Sequence, residues 1–480
     1  MNAPMRRLAT LVWLLFISLF AASTYIQYLR ADWLDARPGN ARTLYKNYGR
    51  ERQPIVLANQ QIAKSTKVED SYNYLRTYPE GQLYASITGF YSIVYGATGL
   101  ESAEDGLLSG TSDQLFYRRI TDLLTGKPAQ GATVELTVSA RAQKAAWDAL
   151  GSKRGAVVAL DPKTGDVLAM VSKPSYDPNQ LASHDVDEVR DAYTKLNADK
   201  NDPLINRAIA GDLYFPGSTF KVITAAAALE SGRYEPDTEV AGPAKLPLPQ
   251  TKNTLPNDFA GACGANDKVT LANALKMSCN TAFGSVGMDL GQQALADQSA
   301  KFGFGQRWQI PLNVTASTFP AQTTPPTLAY AAIGQDNDRV TPLQMAMVAA
   351  AIGNDGELMK PNLINRVLSS DLKVLQEPSP DKIGRAVSSG TASKLKTMME
   401  GVVDDGTGTR AQISGIKVAG KTGTAENGDR PPLAWFISFA PADDPQVAVA
   451  VVVEDGGDYT SGGRVAAPIA KKVMEAVINP

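Results

Sequence analysis

The chain has 480 residues, 44% of them hydrophobic and 20% charged, which describes a folded protein of more than one domain and not a disordered one. Its 47 basic and 49 acidic residues leave a net charge of −2, so no basic footprint points to a nucleic-acid partner. A single histidine, His184, and two cysteines, Cys263 and Cys279, give no ligand cluster for a metal, and no motif asks for a cofactor.

Arg6-Arg7 precede an uncharged run from Leu8 to Leu29. About 20 apolar residues span a bilayer core, and basic residues ahead of such a run keep its start cytoplasmic. Residues 1–30 therefore read as a membrane anchor, with the body of the chain on the extracytoplasmic side. A cleaved signal peptide ending at Ala21-Ala22-Ser23 is the competing reading, disfavoured because the uncharged run continues through Tyr25-Ile26-Gln27-Tyr28. In an exported chain Cys263 and Cys279 form a disulfide candidate. Separation in sequence proves no proximity, so separate thiols are the default expectation.

Residues 31–150 carry mixed polarity and no catalytic-looking cluster, and read as a non-catalytic α+β domain. Near its end, Thr133-Val134-Glu135-Leu136-Thr137-Val138 alternates as a strand does, and Ser139 is placed to cap the helical stretch from Ala140. Two apolar runs, Gly155–Leu160 and Val167–Val171, flank the turn Asp161-Pro162-Lys163-Thr164-Gly165-Asp166 and predict a hairpin. From Ser218 to Gly356 the pattern is mainly helical. Strands return at 415–425, 433–439 and 447–453, before a last helix over 466–478. Strands at both ends of a helical middle predict one sheet joining the hairpin to the C-terminal strands, an α/β layered domain over residues 151–480.

Ser218-Thr219-Phe220-Lys221 follows Pro216-Gly217 and opens an apolar stretch. Residues three apart on a helix are neighbours, so Lys221 is expected beside the Ser218 hydroxyl at the positive end of a helix. Alone, Ser-x-x-Lys says little: it recurs at Ser370/Lys373, Ser393/Lys396 and Ser414/Lys417, and serines often only cap helices. Ser278-Cys279-Asn280 is weaker still, since such residues commonly build turns. Lys421-Thr422-Gly423-Thr424 lies on an expected strand, where Gly423 suggests close approach of a ligand or another backbone. In this order the three form the motif set of penicillin-binding proteins and serine β-lactamases.

The chain resembles the penicillin-binding proteins over most of residues 150–480. Besides the three motifs, Asn206-Arg207-Ala208, Ile333-Gly334-Gln335 with Val340-Thr341-Pro342-Leu343-Gln344, and Gly406-Thr407-Gly408-Thr409 carry the likeness. Too few residues separate anchor and catalytic domain for a glycosyltransferase module. The resemblance is therefore to the monofunctional, class B type, with Gly96-Ala97-Thr98-Gly99-Leu100-Glu101 and Ser278-Cys279-Asn280 most similar to its actinobacterial penicillin-binding protein A members. Arg52-Gln53-Pro54-Ile55 departs from the Arg-Gly-x-Ile box of many class B members.

The resemblance implies an antiparallel sheet with helices on both faces plus an all-helical subdomain, a pedestal or dimerisation-like domain ahead of it, and no cofactor. It implies a peptidoglycan D,D-transpeptidase acting on stem peptides and acylated by β-lactams at Ser218. Lys221 is then the general base, with its pKa lowered by the helix end and by Lys421. Ser278 relays the proton, Asn280 holds a substrate amide, and Lys421, Thr422, Gly423 and Thr424 receive a substrate carboxylate. A D,D-carboxypeptidase and a β-lactam sensor or division scaffold that does not turn over are the alternatives. The N-terminal domain is either a spacer or a docking surface for division or elongation proteins.

Overall fold

The hairpin and the C-terminal strands do meet in one sheet in the computed structural model, which describes residues 3–35, 45, 48–58, 60–115, 130–455 and 461–479. The five-stranded sheet is antiparallel, in the order Ala419–Asn427, Arg430–Ala440, Val447–Val453, Gly155–Leu160, Val167–Lys173. Val451 opposes Val157, so residues nearly 300 apart in sequence form the sheet centre. Every residue of Val447–Val453 is buried, because helices cover both faces of this strand.

Alternation then divides the side chains between two cores. Ala156, Val158, Ala448, Ala450 and Val452 face the helix Pro342–Gly353, whose own residues are all buried. Val157, Ala159, Val449, Val451 and Val453 face Ala140–Leu150 and Ala467–Ile478. The Ser139 hydroxyl caps the first of these by accepting from the Ala142 N–H at 3.3 Å, as its position predicts. The central helix Lys221–Glu230 belongs to the helical part of the domain, with Asn280–Leu290, Gln292–Lys301 and Ser389–Asp404. Two short ladders, Glu239–Ala241 with Lys268–Thr270 and Lys245–Pro247 with Thr254–Pro256, interrupt the stretch expected to be helical. Prolines at 236, 243, 247, 249 and 256 rule out helix there.

Two compact units are distinguished, residues 1–51 with 65–75 and residues 52–64 with 76–480. In the first, a helix from Ala3 to Leu29 is long and apolar enough to cross a membrane and is exposed along its length. In the second, Val374–Gln376, Ile364–Leu368, Thr133–Leu136 and Ile55–Leu57 lie side by side in a mixed sheet. Strands from residues 364–376 thus pair with strands from the N-terminal third of the chain.

Next to this sheet Glu101 is fully buried between two arginines. It accepts from Arg52 Nε at 2.5 Å and from Arg76 Nε at 2.7 Å, and Arg52 lies over the Tyr91 ring. Burial alone raises a carboxyl pKa; here Arg76 and Arg52 outweigh it and hold Glu101 below its ordinary value. Gln53 has no positive φ, so this segment needs no glycine at the position where many class B chains have one. Glu101→Ala removes the buried carboxylate that both guanidinium groups share, while Arg52 keeps its pair with the exposed Asp105. The expected destabilisation is about 3–5 kcal/mol, read as a lower urea midpoint.

Candidate active site

Pro216 and Gly217 turn the chain into the nucleophile. Gly217 has φ +53°, and a Cβ on it would lie 2.8 Å from the Ala425 Cβ and 2.9 Å from the Thr424 carbonyl oxygen. Its N–H donates to the Gly334 carbonyl at 2.9 Å, and a Cβ on Gly334 would sit 2.1 Å from the Gly217 oxygen. Only glycine at both positions lets these backbones meet and press the turn against the Lys421 strand. Ser218 lies in a 3-10 turn, Gly217–Thr219, and the α-helix begins at Lys221, slightly later than the sequence suggests.

A second set of contacts fixes the same turn from below. Trp435 is fully buried, donates its indole N–H to the Phe215 carbonyl at 2.9 Å, and meets the Tyr214 ring edge-on. The Tyr214 hydroxyl donates to Glu454 at 2.7 Å, and Glu454 also pairs with Arg207 at 2.9 Å and Arg154 at 2.5 Å. Sequence reading finds Arg207 and Tyr214 only as family-like residues. Their shared carboxylate partner lies some 240 residues away in the chain and leaves no local signal.

Lys221 and Lys421 are both fully buried and approach one hydroxyl. Lys221 Nζ lies 3.2 Å from Ser278 Oγ and Lys421 Nζ 2.9 Å from it. Lys221 also donates to the Ser278 carbonyl at 2.7 Å and to Asn280 Oδ1 at 2.6 Å, and Lys421 to the Thr422 carbonyl at 2.9 Å. The three motifs therefore converge. The expected direct pair of Lys221 with Ser218 is not among these bonds: the amine points to the Ser278-Cys279-Asn280 turn.

Burial brings the Lys221 pKa down to about 7, opposed by the negative charge of Asp258. Lys421 is held well below its ordinary value, by burial first and by Lys221 second. Desolvation is thus the main cause of the Lys221 shift, and not the helix end or the neighbouring cation.

Ser278 has φ +63°, a left-handed conformation costing a non-glycine residue about 1–2 kcal/mol. It is held there by bonds from the Ser278 and Cys279 N–H groups to the Leu275 and Ala274 carbonyls. A disulfide joins Cys279 to Cys263, with Cα atoms 6.0 Å apart, correcting the default expectation of separate thiols. The two loops are brought together by the strand pairs around 239–270, which sequence separation could not reveal. Asn280 has partners within the protein besides the substrate amide expected of it. Its amide group donates to the Pro256 carbonyl at 3.2 Å and to Asp258 Oδ1 at 2.9 Å while its oxygen receives Lys221, so in this structure it anchors the lysine.

Above these groups opens a cleft of about 420 Å³, lined by Ser218, Ser278, Thr422 and Thr424. No hydrogen bond occupies the Ser218 hydroxyl among the described residues. The Thr422 hydroxyl is shared with Thr407 at 2.6 Å, which draws the Gly406–Thr409 segment to the rim. Gly423 fulfils its expectation of close approach: a Cβ there would be 3.0 Å from Thr219 Cγ2 and from Trp435 Cβ, and Gly462 packs against its backbone. Asp258, Arg410 and Arg464 also line the cleft and carry no signal in the sequence. The repeated Ser-x-x-Lys pairs and Lys163-Thr164-Gly165 lie elsewhere; Lys163, for one, pairs with Asp444 on the surface.

Comparison with known proteins agrees with this geometry. The penicillin binding protein transpeptidase domain family matches residues 155–475, and the penicillin binding protein A dimerisation domain matches residues 52–134. The peptidoglycan D,D-transpeptidase PbpA of Mycolicibacterium smegmatis is 44% identical over 100% of this chain and 99% of its own. Among solved structures, the ceftriaxone acyl-enzyme of Mycobacterium tuberculosis penicillin-binding protein A superposes with a TM-score of 0.87 at 40% identity, covering 90% of this chain and all of that one. Its penicillin G acyl-enzyme gives 0.85 at 41% identity, covering 89% and 100%.

Proposed function

Since the chain belongs to the penicillin-binding protein transpeptidase family, as a class B member, we propose that it cross-links peptidoglycan as a D,D-transpeptidase through an acyl-enzyme at Ser218. The observation that carries this reading is the convergence of two buried lysines on Ser278 beside an unengaged serine hydroxyl.

Ser218 Oγ attacks the carbonyl of the penultimate D-Ala of a stem peptide, and its proton passes to neutral Lys221. A lysine with a pKa near 7 is half deprotonated at neutral pH, where an ordinary one is almost wholly charged. Ser278, within reach of both amines, relays the proton to the departing D-Ala nitrogen. Lys421, Thr422 and Thr424 receive the terminal carboxylate, with Gly423 keeping the strand free of side-chain bulk on this wall. The N–H groups of Ser218 and Thr424 form the oxyanion hole, where losing one donor costs about 3 kcal/mol. An amine of a second stem peptide then takes the acyl group, the new C–N bond replacing the ester and returning a proton to Ser218. Asn280 holds Lys221 and, when Asp258 releases its amide group, a substrate carbonyl.

β-Lactams enter the same path and remain on Ser218. The apolar helix Ala3–Leu29 tethers the protein in a single pass, with the catalytic domain outside the cytoplasm. The domain at residues 52–134 is left to meet division or elongation proteins.

Incubating the purified protein with a D-Ala-D-Ala donor peptide and an amine acceptor tests the reaction. Transfer product is expected in excess of free acid. Free acid alone would make the protein a carboxypeptidase, and a stable β-lactam adduct with neither product a sensor.

A further inference from the structure

The cleft is electrically polarised, and its acidic residue enters the chemistry just described only as a partner of the Asn280 amide. One wall is cationic: Arg410 and Arg464 stand beside Thr407, Thr422 and the Gly462-Gly463 segment, over the strand that carries Lys421. Asp258, bonded to Asn280 beside the Ser278 turn, is the sole carboxylate among the described residues that line the cleft.

Asp258 is exposed, yet its position is closely set. Its Oδ1 accepts from Asn280 at 2.9 Å, while neighbouring Asn257 accepts from the Thr281 N–H at 3.1 Å, and the loop is bridged to the same turn through Cys263–Cys279. The carboxylate is thus presented to the cleft by a loop with three ties to the active-site turn. A mobile surface acid would be solvated and weak; a braced one beside two desolvated amines is preorganised for a cation. Its charge already opposes the downward shift of both lysines.

The direction of the donor peptide decides which cation. With its terminal carboxylate on the Lys421 wall and its scissile carbonyl at Ser218, the chain preceding D-Ala-D-Ala runs out along the Asn280 side and past Asp258. We infer that Asp258 is a specificity-determining residue that binds an ammonium on the donor's acyl side, carried by an amine-bearing residue ahead of the D-Ala-D-Ala terminus. The inference rests on the transpeptidase reading and adds the substrate feature selected by this wall.

Ampicillin and its N-acetyl derivative differ at one acyl-side amine and probe this directly. The full-length protein is expected to be acylated about five- to tenfold faster by ampicillin than by the acetylated compound. Asp258→Asn should bring that ratio to near one, Asp258→Lys should invert it, and Asp258→Glu should restore most of it. Because the quantity read is a ratio, a general loss of reactivity through Asn280 cancels. A ratio near one in the unaltered protein overturns the inference without any variant, as does a ratio unchanged by Asp258→Asn. So would an unchanged ratio with a selective loss of transfer to the acceptor amine, which would place the carboxylate on the acceptor's path. Benzylpenicillin, which lacks the amine, separates the two levels. If it fails to acylate Ser218, the transpeptidase reading itself falls; if it labels and the ratio is flat, only the role of Asp258 does.

Discussion

A Ser218→Ala protein is expected to take up no fluorescent penicillin, with a melting temperature within a few degrees of the parent. The substitution removes one oxygen that makes no hydrogen bond within the described structure, so little packing or polar satisfaction is lost. What disappears is the atom that forms the acyl bond. In serine acyl-transfer enzymes, loss of the nucleophile lowers turnover by about 10⁶-fold, to what the oxyanion hole and binding sustain alone. Gel fluorescence after a saturating incubation reads the result. A covalent adduct on the alanine protein would mean that another hydroxyl is the nucleophile, and the assignment of all three motifs would fall with it.

Lys221→Ala is expected to slow acylation nearly as severely, by about 10⁴-fold or more, because grouped catalytic residues act as a unit. The amine is fully buried and holds three acceptors, the Ser278 carbonyl and hydroxyl and the Asn280 oxygen. Its removal therefore loosens the whole turn as well as deleting the base. The pH profile separates these effects. With a pKa of about 7, Lys221 is charged below neutrality and unable to take a proton, so the acylation rate rises with pH up to about 7 and then levels. The alanine protein should lose that limb and keep a flat, low rate.

Stability gives an independent sign. Between about pH 7 and the ordinary lysine value of 10.5, the unfolded chain binds a proton that the folded one does not. The stability contributed by this group, its share of the unfolding free energy, therefore increases as pH rises through that window. A stopped-flow acylation series and urea melts at matched pH check both. A rate independent of pH between 5 and 9 in the parent protein would exclude Lys221 as the base.

The sequence by itself determined the elements with short-range physics behind them. Continuous apolar runs at 155–160, 167–171 and 447–453, the Pro/Gly turn between the first two, and the Pro-Gly approach to Ser218 made the sheet and the position of the nucleophile legible, because hydrophobic patterning and backbone restriction act over a few residues. The three motifs named the chemistry, and Gly423 announced a close contact that the strand indeed makes. Tertiary structure alone decided the rest. It gave Lys221 hydrogen-bond partners in a turn 57 residues on. It paired Cys263 with Cys279, set Ser278 in a left-handed conformation, and gave Asn280 a lysine to hold. It also put Glu454 under Tyr214 and Asp258 on the cleft wall. Each of these depends on burial and on partners distant in the chain. Desolvation, which sets the charge of both lysines, is a property of the assembled interior and is written in no local stretch of residues.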